Sequence, residues 1–91
     1  MTKVVVIGMG YVGIPAAALF ADADGFEVTG VQRRSQRSGW KIDWLNEGKN
    51  PIGGDEPGLE ELLQRVVKKG TFKVVDNYEV VRDADAVLID V

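Results

Sequence analysis

A chain of 91 residues, 45% apolar and 27% charged, has the balance of one small globular domain and no room for two. The net charge of −3, with no long block of one sign, gives no support for nucleic acid or an anionic membrane as a partner. The absence of cysteine and histidine excludes disulfides and thiolate chemistry, and removes the commonest metal ligands, the usual general base and the usual covalent nucleophile.

The chain runs from Met1 straight into an apolar run, without a signal-peptide pattern and without an apolar stretch long enough to span a bilayer. A cytoplasmic protein is therefore expected. Lys3 to Ile7 reads as a buried strand, apolar on both faces as parallel strands are. Gly8-Met9-Gly10-Tyr11-Val12-Gly13 follows at once, and then the helix formers Ile14 to Ala23. Strand, Gly-x-Gly-x-x-Gly and helix in this order form a dinucleotide fingerprint. Gly8 serves the turn out of the strand, Gly10 the close approach of a pyrophosphate, and Gly13 the packing of the helix on the sheet. The helix start offers free N–H groups and a positive dipole end to phosphates. Pro15 sits where a missing N–H costs least, and Gly25 is expected as the C′ residue.

Phe26 to Val31 reads as a second strand, completing β-α-β within about 30 residues. Gln32, Arg33 and Arg34 stand at its C-terminal end, where such a fold reads the adenosine ribose. An NAD site usually has Asp or Glu there. Here Gln32 takes that place, and the arginines after it suit a 2′-phosphate or stacking on adenine. Trp40 to Asn46 reads as a short helix packed through Trp40, Trp44 and Leu45 and ended by Gly48. A loop through Asp55 leads to a helix from Glu56 to Lys69, capped by Asp55 or Glu56, with Pro57 at its start and Gly70 beyond its end. Its apolar stripe is Leu59, Leu62, Leu63 and Val66. Phe72 to Val75 is a strand, Asp76 caps a short helix through Val81, and Ala86 to Val91 is a buried-type strand. These elements make an α/β domain, a Rossmann-like doubly wound parallel sheet of strand order 3-2-1-4, truncated after its fourth strand.

Three stretches taken together carry a resemblance. They are Gly8-Met9-Gly10-Tyr11-Val12-Gly13-Ile14-Pro15, Leu45-Asn46-Glu47-Gly48-Lys49-Asn50-Pro51-Ile52, and Glu56-Pro57-Gly58-Leu59. With Asp83 to Ile89 they resemble the N-terminal NAD-binding domain of the UDP-glucose/GDP-mannose dehydrogenase family, over essentially the whole chain. Val31 to Ser35 is most similar to the archaeal-type UDP-N-acetyl-D-mannosamine dehydrogenases. The resemblance implies a cofactor domain, residues 1–91, cut from a longer enzyme. That enzyme would oxidise a UDP-sugar C6 alcohol to the uronic acid, with NAD as hydride acceptor and NADP not excluded. It implies cofactor contacts at Gly8, Gly10, Tyr11, Val12, Gly13, Gln32, Arg33 and Arg34. No catalytic residue and no metal ligand carries over. The catalytic groups and the nucleotide-sugar site would lie further along, in a parent that is a homodimer. The alternative is a stand-alone Rossmann module that senses a nucleotide.

Overall fold

A computed structural model describes residues 1–10, 12–33, 39–51 and 58–89. Four parallel strands form one sheet: β1 (Thr2–Ile7), β2 (Phe26–Val31), β3 (Phe72–Val75) and β4 (Ala86–Ile89). Their spatial order is β3-β2-β1-β4, as expected. Three helices lie between them in sequence: α1 (Gly13–Asp22), α2 (Gly39–Asn46) and α3 (Leu59–Lys69). The register sets Val4 beside Val28 and Ala86, and Val28 beside Phe72. Side chains alternate across a strand, so these residues share one face. That face meets Ile14, Ala17, Ala18 and Ala21 of α1, Ile42 and Leu45 of α2, and Leu59, Leu63 and Val66 of α3 in one core. The three alanines explain the close fit of α1, since each fills little space between backbone and sheet.

After β3 the chain crosses to the other face of the sheet, where a 3₁₀ helix (Glu79–Asp83) lies against β1. This crossing makes the fold doubly wound. The sequence suggests a short helix capped by Asp76. Instead Asn77 Oδ1 accepts from the Glu79 N–H at 3.1 Å, and one 3₁₀ turn replaces the helix. An Asx turn competes with helix formation in this way.

Other expectations shift for definable reasons. Trp40 and Trp44 do not enter the core. They are i, i+4 neighbours on the outer face of α2, each 42% exposed, with rings edge to face at 5.2 Å. Ile42 and Leu45 supply the inward face instead. Helix α3 begins at Leu59 with Gly58 as its cap and no side-chain capping bond. Asp55, Glu56 and Pro57 lie outside the described residues, so the capping expected of them does too. Helix α1 ends at Ala23 in extended backbone, and Gly25 serves the entry to β2, its carbonyl accepting from Thr2 N–H at 2.7 Å. All of β4 is exposed, contrary to its buried-type sequence. It stands at the sheet edge, with no described helix layer over it.

Two contacts explain the Leu-Asn-x-Gly stretch. Gly48 N–H bonds Leu45 O at 3.0 Å and Lys49 N–H bonds Trp44 O at 2.8 Å, which is a Schellman closure of α2. Gly48 has φ 79°, and a Cβ there would meet the Gln64 Cα of α3 at 2.9 Å, so both backbone and space require glycine. Asn46 lies beside edge strand β3. Its Oδ1 accepts from Val74 N–H at 2.7 Å and its Nδ2 donates to Val74 O at 2.9 Å. One side chain thus satisfies both backbone groups of an otherwise open edge. Among the described residues no helix is long and apolar enough to cross a membrane.

Candidate cofactor site

The C-terminal ends of β1, β2 and β4 meet beside the point where the winding reverses. In open α/β sheets this crevice is where ligands bind. Strand β1 delivers the glycine loop to it. Gly8 turns out of the strand with φ 100°, a conformation that side-chain-bearing residues rarely adopt. Its N–H donates to Val31 O at 2.9 Å, the last backbone bond of the β1–β2 pairing. The next residue is held differently. Met9 N–H donates to the side-chain Oε1 of Gln32 at 3.1 Å, so a carboxamide extends the ladder one bond past the strands. The Met9 side chain is buried and packs on Gly30 of β2.

Gly10 is a contrasting case. Its φ is not positive, and among the described residues a Cβ there would meet nothing within 4 Å. Neither the backbone nor the packing of the described residues calls for glycine at this position. Val12 then caps α1 without a side-chain bond, and Gly13 is buried as the first helical residue. Ile14 N–H is taken by Gly10 O at 3.1 Å and Ala16 N–H by Val12 O at 3.2 Å. Among the described residues the N–H groups of Val12 and Gly13 make no hydrogen bond, and they are two of the donors that a helix start leaves open.

The structure therefore brings Gly8, Gly10, Val12, Gly13 and Gln32 together at the C-terminal ends of β1 and β2, with Arg33 exposed just beyond β2. Tyr11 and Arg34 lie outside the described residues. Two partners escaped the sequence reading. Met9 is an anchoring residue within the motif, and Gly30 is its seat. A glycine inside a strand, with a long apolar residue between the motif's first two glycines, is the signal that could have found them.

The profile of the UDP-glucose/GDP-mannose dehydrogenase family, NAD binding domain, matches residues 2–91. The chain belongs to this family. Its sequence is 41% identical over 88 residues to a GDP-mannose 6-dehydrogenase of Pseudomonas syringae pv. syringae, covering 96% of this chain and 18% of that protein. It is 40% identical over 89 residues to a UDP-N-acetyl-D-mannosamine dehydrogenase of Campylobacter jejuni, covering 98% of this chain and 19% of that protein. Among solved structures, an NDP-N-acetyl-D-galactosaminuronic acid dehydrogenase from Methanosarcina mazei Go1 superposes with a TM-score of 0.96 at 51% identity, over 100% of this chain and 19% of that one. The chain thus spans about a fifth of the length of these relatives. The cofactor of the family's domain is NAD.

Proposed function

We propose that residues 1–91 are the cofactor domain of a longer, cytoplasmic nucleotide-sugar 6-dehydrogenase, a homodimer that oxidises a UDP-sugar C6 alcohol to the uronic acid in two steps. When bound, NAD accepts the hydride in each step. The part assigned to this chain is to bind and orient that cofactor. Catalytic groups and the sugar site belong to the remainder of such a protein.

Gly10 carries the reading. A position that the described residues do not require to be glycine, just beyond the C-terminal end of β1, fits a partner from outside the chain that needs the space. A pyrophosphate meets that description. The N–H groups of Val12 and Gly13, without a partner among the described residues, follow it in the chain, and the positive end of the α1 dipole adds to them. In this reading Gly8 and Gly13 shape the loop, and Tyr11 contributes its backbone next to Val12. Gln32, Arg33 and Arg34 take the ribose and adenine end.

Titration with NADH, followed by cofactor fluorescence, tests the assignment. Gly10→Val abolishes binding while the melting temperature holds, because the added side chain fills ligand space and no described part of the core. Unchanged affinity in that variant would refute the role given to the loop.

A further inference from the structure

We propose that Gln32 makes this domain accept the 2′-phosphorylated dinucleotide, NADP, as well as NAD. The inference rests on the dinucleotide reading above and goes one step beyond it. It concerns how the chain reads the adenosine ribose.

An acidic residue at the end of the second strand does two things. Its oxygens accept from both ribose hydroxyls, and its charge repels a 2′-phosphate. Gln32 occupies that place, since Gln32 N–H continues the pairing of β2 to Val75 O at 3.0 Å. Its side chain does neither. The oxygen is turned toward the glycine loop, where it accepts from Met9 N–H at 3.1 Å. The amide nitrogen donates one N–H to the Arg33 carbonyl at 3.5 Å. What the carboxamide still offers a ligand is therefore its second N–H, a donor without charge. A donor serves a ribose hydroxyl oxygen and a phosphate oxygen alike, and it repels neither. The sequence that follows, Arg33 to Gly39, holds three arginines and no acid, a composition that suits a phosphate.

Gln32 is thus a positioning residue and a selectivity residue together. The bond to Met9 ties the orientation of the carboxamide to the shape of the loop, and that bond selects which end of the amide faces outward. Glutamate at this position would keep the acceptor for Met9 and add the missing charge.

Calorimetric titration of the 91-residue chain with NADH and NADPH tests the proposal without any turnover. The two dissociation constants are expected within about tenfold of each other. Gln32→Glu is expected to weaken NADPH at least tenfold relative to NADH, and Gln32→Met to weaken both equally while hydrogen exchange at the Met9 amide quickens. An NADH preference beyond about tenfold in the unaltered chain overturns the proposal and leaves the NAD assignment standing. Failure to bind either dinucleotide overturns both. The comparison in the unaltered chain decides the matter even where a variant fails to fold.

Discussion

The thioether of Met9 lies so close over Gly30 that a Cβ on Gly30 would sit 2.6 Å from Met9 Sδ and 3.0 Å from Met9 Cε. Met9 belongs to the glycine loop and Gly30 to the neighbouring strand, so this contact fastens the loop to the sheet. Met9 is 1% exposed, and its flexible end has little room to retreat.

A Gly→Ala change in a strand with ordinary φ would by itself stabilise by about 0.4–1 kcal/mol, through the unfolded chain. Here overpacking against Met9 costs about 1–3 kcal/mol and decides the sign. Gly30→Ala is therefore expected to destabilise. In a Met9→Ala background, which itself costs about 2–5 kcal/mol, the same change becomes neutral or favourable. A double-mutant cycle in urea checks this, and strictly additive effects would refute the contact.

Asn46 spans the edge of β3 with two hydrogen bonds to Val74. Asn46→Ala is expected to cost about 1–2 kcal/mol in urea unfolding. Asn46→Asp keeps an acceptor for Val74 N–H but sets a carboxylate against Val74 O. Its penalty is expected to shrink on acidification, when the new carboxyl gains a proton to donate. A pH-independent penalty would show that the donor bond is unimportant.

Arg65 on α3 grips Asp22 at the end of α1, Nε to Oδ1 at 2.8 Å and Nη2 to Oδ2 at 2.9 Å. These hydrogen bonds, opposed by a smaller desolvation effect and aided by the charge of Arg65, hold the Asp22 carboxyl below its ordinary value. The same pair makes the Arg65 guanidinium more basic. A carboxyl that is more acidic folded than unfolded stabilises above its unfolded pKa. That contribution disappears as pH falls through the lower, folded value. Arg65→Gln is expected to return Asp22 toward the ordinary carboxylate range in an NMR titration and to flatten the acid side of the stability profile. The pair is exposed, so molar salt is expected to weaken the effect. An Asp22 titration that ignores the substitution would contradict it.

Strand β4 closes one side of the sheet with Val87, Leu88 and Ile89 exposed, Ile89 at 70%. Apolar edges of this kind pair with other chains. A polypeptide of these 91 residues is expected to self-associate, its sedimentation coefficient rising with concentration. Ile89→Lys is expected to suppress the rise. A monomer across the whole concentration range would count against pairing through this edge.

The elements were largely legible in the sequence because each rests on short-range signals. Val4 to Ile7 has the run of a strand buried on both faces, and Leu59, Leu63 and Val66 have the period of an amphipathic helix. Burial was less legible. Trp40 and Trp44 are as apolar as a core needs, yet the turn of α2 carries them outward, and no layer among the described residues covers β4. Neither fact is local. The crevice shows the same division. The glycine spacing marks where a loop stands, but not which glycine serves the fold and which serves a ligand.

By itself the sequence determined the order of strands and helices, the loop at the first strand's end and the family, because periodicity and contiguous motifs act within a few residues. Only the tertiary structure decided why each glycine is there. Gly48 is crowded by α3, Gly30 is filled by Met9, and Gly10 faces open space. It also decided that Gln32, read at first as a missing acid, turns its oxygen to Met9 across 23 residues of chain. Such a bond depends on the parallel register of β1 against β2. That register follows from the shared core beneath both strands, which no local pattern encodes.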